Sequence, residues 1–195
     1  MMRELSLHIL DLVQNAIEAG ANKVRLDIVE DMSEMDTLLI RVIDNGQGMD
    51  DDTCQKVIDP FVTSRTTRRV GLGLPLIDMS TKRCAGYLTI VSTPGSGTVV
   101  EALYKHSHWD RPPLGNIVET VKSIIIAHPE LNFSYSHTVE KNVFSMVTQE
   151  LTEILGNISL TQPDVLIWLH EYLTQNIMNL YNSRNLYGGV QDENN

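Results

Sequence analysis

The stretch VIDNGQGMDD, residues 42–51, decides how this chain is read. An apolar run, TLLIRVID at 37–44, has the length and branching of a strand and ends on Asp44. Asn45, Gly46, Gln47, Gly48 and Met49 follow at once. Asp-Asn-Gly is turn chemistry, because Gly supplies positive φ and short Asx side chains bond their own backbone. A turn accounts for the stretch taken alone. A ligand-binding loop requires partners elsewhere in the chain.

Bulk composition narrows the search. The 195 residues suggest one domain with an appendage, or two small ones. Apolar residues make up 42% and charged residues 21%, enough to build a core. The net charge of −10 comes from both halves: 11 basic against 15 acidic residues over 1–105, and 4 against 10 over 106–195. So acidic a chain repels a phosphate backbone, which speaks against nucleic-acid binding as the main role. Cys54 and Cys84 are the only cysteines, a count that fits a reducing cytosol. No apolar run approaches the ~20 residues of a membrane helix, and the first sixteen residues lack a signal-peptide core. The expectation is a cytoplasmic protein.

Along the chain, residues 3–19 read as an amphipathic helix with Leu5, Ile9, Leu12, Val13, Ala16 and Ile17 on one stripe, ended by Gly20. KVRLDIV (23–29) alternates as a half-buried strand. A short helix is expected over 51–58, opened by aspartates that suit a positive helix N-terminus. PFVTSRTTRRVGLG (60–73) reads as a loop and 74–84 as a helix. Strands at 87–93 and 98–104 flank PGSG, a hairpin signal. This order predicts a mixed α/β layer with a mainly antiparallel sheet. HSHWDRPPLG (106–115) reads as a linker. Beyond it come a helix over 116–127, a hairpin of 131–137 and 143–148, a short helix over 149–156 and a long helix opened by Pro163. The tail from Ser183 reads as frayed. The aromatics of this half, Trp109, Phe133, Tyr135, Phe144, Trp168 and Tyr172, read as core, and its histidines as too scattered for a metal site.

Two further features carry chemistry. His8, Asp11, Asn15 and Glu18 are spaced 3, 4 and 3 apart, a polar stripe beside the apolar one. Short Asp and Asn oxygens suit a hard cation held by phosphates better than they suit a solvated face. In the loop, Gly71 and Gly73 let backbone N–H groups approach an anion just before a helix N-terminus. Thr63, Ser64, Thr66 and Thr67 offer hydroxyls there, and Arg65, Arg68 and Arg69 offer guanidinium groups.

Together, LxxNAxEAGA, DNGQGM, TSRTTRRVGLGLPL and GSGT stand in an order and spacing that resemble the ATP-binding domain of the GHKL superfamily. Its members include gyrase B subunits, ninety-kilodalton heat-shock chaperones, sensor histidine kinases and mismatch-repair ATPases. The resemblance covers about residues 3–105. It implies a Bergerat fold, a two-layer α/β sandwich over 1–105; beyond its reach, the residue pattern alone suggests the linker 106–115, a small α+β module over 116–185 and a flexible tail from 186. It implies that Asp44 holds the adenine amino group, supported by Thr98, with Gly46, Gly48 and Met49 around the base. Asn15 would ligate Mg²⁺ bridging the phosphates of ATP. The stretch of Thr63, Ser64, Arg65, Gly71, Leu72, Gly73 and Leu74 would form the ATP lid.

One departure bears on chemistry. Gyrase and mismatch-repair members carry a general-base Glu where this chain has Asp11, one methylene shorter and ~1.5 Å less in reach. The leading expectation is therefore an ATP-dependent regulatory switch read by a protein partner, with slow hydrolysis at most. The alternative is a protein kinase similar to anti-sigma serine kinases or to the catalytic half of a split histidine kinase.

Overall fold

The computed structural model describes residues 4–58 and 73–187. Helix α1 (Leu5–Glu18) comes first, followed by strands β1 (Lys23–Asp31) and β2 (Thr37–Asp44) and the short helix α2 (Asp51–Lys56). Helix α3 (Gly73–Arg83) precedes the hairpin β3 (Tyr87–Thr93) and β4 (Gly97–Lys105). Then come α4 (Ile117–Ala127), β5 (Asn132–Val139), β6 (Asn142–Val147), α5 (Thr148–Leu155) and α6 (Pro163–Tyr187). No helix among the described residues is long and apolar enough to cross a membrane.

The strands form one sheet in the order β3-β4-β2-β1-β5-β6. Every pairing is antiparallel except β1 with β5. The period-2 pattern explains the layering. Val24, Leu26 and Ile28 of β1, Leu38, Ile40 and Val42 of β2, and Phe133 and Tyr135 of β5 are buried. They meet the apolar stripe of α1, where Leu5, Ile9, Leu12, Val13 and Ala16 are buried as the spacing predicts. This is the expected mixed, mainly antiparallel α/β sandwich.

The second half differs from expectation. Its hairpin pairs directly with β1, from Lys23 against Asn132 to Glu30 against Val139, and so continues the same sheet. Core residues of α4, β5, β6 and α6 belong to the same cluster as those of α1 to β4. The segment 106–115 is not a free linker either. Pro113 and Leu114 carbonyls accept from the N–H groups of Leu5 and Ser6 at 2.9 and 2.8 Å, satisfying the first turn of α1, whose N-cap Glu4 supplies no side-chain bond. The Arg111 Nε donates to the His106 carbonyl at 2.6 Å and holds the strap's curve. The last helix runs to Tyr187, past the expected fray point. Among the aromatics, Phe133, Tyr135 and Phe144 are core, but Trp109 is fully exposed and Trp168 lies half out, stacked on Tyr172 at 5.0 Å.

Candidate functional site

The loop after β2 is built by close packing on both sides. The amide of Gln47 donates to the Ala19 carbonyl at the end of α1, at 2.8 Å, and the Gly95 amide donates to the Gln47 carbonyl at 2.7 Å. The loop is thus clamped between α1 and the β3–β4 turn. A Cβ on Gly48, whose φ is +65°, would lie 2.0 Å from the Thr93 carbonyl oxygen. On Gly46 it would fall 2.9 Å from the Ala19 carbonyl oxygen. Both glycines are therefore required by the protein's own packing, a reason beyond the turn and the nucleotide that the sequence suggests for them. Asn45 is structural: its Oδ1 accepts from the Asn22 and Lys23 amides at 3.0 and 2.9 Å, tying the loop to the start of β1.

Asp44 ends β2 opposite Thr98 of β4. Its Oδ1 accepts from the Gly46 amide at 2.8 Å. Burial raises its pKa above the ordinary value, opposed by backbone N–H bonds from Gly46 and Thr98. Thr98 is buried, and its hydroxyl lies 2.9 Å from the Ser92 Oγ. That Ser92 hydroxyl also accepts from the Met49 amide at 2.8 Å and donates to the Gly97 carbonyl at 3.0 Å. Ser92 thus joins Met49, Gly97 and Thr98 behind the Asp44 carboxyl. Sequence reasoning missed it, and a serine within an ordinary strand pattern gives no local signal.

Asp11 and Asn15 stand one turn apart on α1, both partly exposed. Among the described residues, neither side chain has a hydrogen-bond or ion-pair partner. Burial raises the Asp11 pKa. Gly73, the first residue of α3, packs on Asp11: a Cβ there would lie 3.2 Å from Oδ2. Leu74 follows, packed against the core. The structure thus brings Gly73 to Asp11 on α1, and Asp44, Gly46, Gly48, Met49 and Thr98 together at the end of β2. Thr63, Ser64, Arg65, Gly71 and Leu72 lie outside the described residues. His8 departs from the polar stripe, for it is buried between α1 and α3.

The donor set fits a hard cation carried by phosphates. Among the described residues the Asn15 amide oxygen and the Asp11 carboxylate have no partner, and no group of three or more His, Cys, Asp or Glu could hold a metal by itself. A cation here would draw the rest of its shell from phosphate and water.

Comparison with known proteins places the first half of the chain in a family. Residues 3–107 match the family described as histidine kinase-, DNA gyrase B-, and HSP90-like ATPase. The sensor protein kinase FleS of Pseudomonas aeruginosa is 40% identical over 90 residues, covering 46% of this chain and 22% of that protein. The DNA mismatch repair protein MutL of a Geobacillus species is 24% identical over 186 residues, covering 76% of this chain and 29% of the relative. The chain therefore spans less than a third of the length of these curated relatives. Among solved structures, the MutL ATPase domain of Aquifex aeolicus complexed with ADP aligns with TM-score 0.46 and 18% identity, over 80% of this chain and 70% of that one. Since the family match takes in more than half of its residues, the chain belongs to the histidine kinase-, DNA gyrase B- and HSP90-like ATPases.

Proposed function

We propose that the chain binds Mg-ATP between α1 and the loop after β2, and acts as a nucleotide-dependent switch read by a protein partner. The observation that carries this reading is the Asp44 carboxyl. It is fixed by the Gly46 amide, backed by Thr98 and Ser92, and raised in pKa by burial. A carboxylate so placed accepts from the exocyclic amino group of adenine. Guanine offers a carbonyl at that point, which would leave Asp44 unpaired. Asn15 would hold Mg²⁺, which supplies charge neutralisation of the phosphates. Asp11 would receive the proton of an attacking water, and its raised pKa brings it nearer the range of a working base. The lid residues Thr63, Ser64, Arg65, Gly71 and Leu72 would close over the phosphates, and lid state would be the signal.

A second reading is a protein kinase that transfers the phosphoryl group to a partner. The 40% identity to a sensor protein kinase over 90 residues favours it.

The fate of γ-labelled ATP with Mg²⁺ separates the readings, with Asp44→Ala as control. Bound, intact ATP supports the switch, and slow free phosphate lost in Asp11→Asn adds hydrolysis to it. Label on a protein partner supports the kinase. Equal ATP binding by wild type and Asp44→Ala rejects both.

A further inference from the structure

Alternate residues of a strand point to opposite faces of its sheet. Those that point at the helices, such as Leu26, Ile40 and Val100, are buried in the core. The others line up in rows across β1, β2, β4 and β3 on the opposite face. One row runs Val29, Leu39, Leu103, Tyr87, and another runs Arg25, Ile43, Val99, Val91. The row between them is polar: Asp27, Arg41, Glu101, Thr89. The apolar residues of these rows stand outside the core cluster and outside the partly buried set packed on it. Tyr87 is 51% exposed and Val91 61%. Arg41 is paired with Glu101, and Arg25 Nε donates to both Asp27 oxygens, at 2.8 and 3.0 Å. The patch thus has apolar rows on either side of a charged centre. Its two cations balance its two anions, in a chain of net charge −10.

We propose that this sheet face is a self-association surface, covered by the same face of a second copy of the chain. Charge selects the occupant. A partner steered by electrostatics needs a patch of one sign, whereas a balanced patch is complementary to itself. Two copies this acidic repel over most of their surface, and a neutral face is where they can meet. Geometry agrees. A two-fold axis running along the strands between β2 and β4 sets Arg41 of each copy against Glu101 of the other, Ile43 against Val99 and Leu39 against Leu103. The central pairs lie close to that axis, where the ~30° between two packed sheets displaces them little. The same axis brings Val91 of one copy to Arg25 of the other. Area agrees as well. Four strands of seven to nine residues, at ~3.3 Å per residue and ~4.8 Å between strands, offer on the order of 500 Å² per copy, the low end of specific interfaces. Nothing in this surface rests on the ATP reading, since α1 packs on the other side of the sheet.

The test is sedimentation of the full chain across a concentration series, without nucleotide. A reversible monomer–dimer equilibrium with Kd on the order of 10 µM is the expected result. Val91→Lys changes an exposed side chain, so the circular dichroism spectrum should be retained while like charge against Arg25 of the other copy weakens the dimer about tenfold or more. The double variant Arg41→Glu with Glu101→Arg tests the register. It keeps the ion pair within the chain and across a dimer of like copies, but against wild type it sets like charge on like charge. Wild type and double variant should each dimerise alone, and native mass spectrometry of their mixture should show the mixed dimer depleted. A chain that stays monomeric at concentrations on the order of 100 µM, well above that Kd, overturns self-association and leaves the face to a different protein. A dimer indifferent to Val91→Lys forms elsewhere and overturns the placement. Mixed dimers at the statistical proportion overturn the register.

Discussion

Two of the strand-borne carboxylates in this sheet, Glu30 and Asp44, meet opposite fates. Glu30, near the end of β1, is 5% exposed and surrounded by side-chain donors. His137 Nε2 lies 3.0 Å from its Oε1, His106 Nε2 lies 3.1 Å from its Oε2, and the Tyr181 hydroxyl donates to Oε1. Tyr135 OH stands 2.8 Å from His137 Nδ1 and extends the cluster into β5. Burial works against the charge, yet these hydrogen bonds win and hold Glu30 down at about 2. Asp44, at the end of β2, is served by two backbone amides, and there burial wins and the pKa rises. Glu30 is finished within the protein, joining β1, β5, the strap and α6. Asp44 retains acceptor capacity for something else. That difference, more than burial or charge, separates a carboxylate satisfied within the fold from one left open to a further donor.

The largest test of the contrast is Glu30→Ala. It leaves His137, Tyr181 and His106 without their shared acceptor and should lower unfolding stability by roughly 3–5 kcal/mol in urea titration. Its pH dependence follows from the lowered pKa. Glu30 stabilises the fold fully above its ordinary value of 4.5, and that contribution fades as pH falls towards about 2. The stability gap between wild type and Glu30→Gln should therefore be level near neutrality and close between pH 4.5 and 2. Asp44→Asn should show the reverse sign. A raised folded pKa means that the charge is a cost above it, so the variant should match or exceed wild-type stability at neutral pH. A stability loss in Asp44→Asn as large as in Glu30→Ala would erase the distinction.

Gly48→Ala comes next. Positive φ and a Cβ placed 2.0 Å from the Thr93 carbonyl should together cost roughly 3 kcal/mol, read from the same titration. A harmless substitution would mean that the loop is not clamped as described. Asp44→Ala should then weaken ATP binding roughly 10- to 100-fold by calorimetry, the scale of one lost hydrogen bond to a charged group.

How far the sequence could foresee this pair is itself instructive. Asp44 was legible because it stands in a local pattern: a strand, then Asp-Asn-Gly and a second glycine two residues on. Most strands and helices were legible for the same reason, since periods of 2 and 3.6 are local properties. The Glu30 cluster was not. Its members come from residues 30, 106, 135, 137 and 181, and they meet only when β1 pairs with β5 and the strap and α6 pack on that pair. His106 and His137 therefore read as scattered, and the second half read as a separate module. The strap was misread because its composition is that of a linker, while its role is to supply the carbonyls of Pro113 and Leu114 to α1. His8 fitted the polar stripe by spacing, and only the position of α3 buries it.

The smallest effect is the most discriminating between the two carboxylates. Ser92 accepts from the Met49 amide, donates to the Gly97 carbonyl and meets the Thr98 hydroxyl. With its own proton committed to Gly97, Ser92 accepts from the Thr98 hydroxyl, which leaves the Thr98 oxygen as an acceptor beside the strand partner of Asp44. Ser92→Ala frees that hydroxyl to rotate. About 1 kcal/mol of stability should be lost, as for one ordinary hydrogen bond. If Thr98 and Asp44 read the base together, discrimination between ATP and ITP should also narrow, because ITP carries a carbonyl where ATP carries the amino group. Competition binding with the two nucleotides reads that ratio directly. A stability loss with an unchanged ratio would place Ser92 with the Glu30 cluster, as a residue that serves the fold alone.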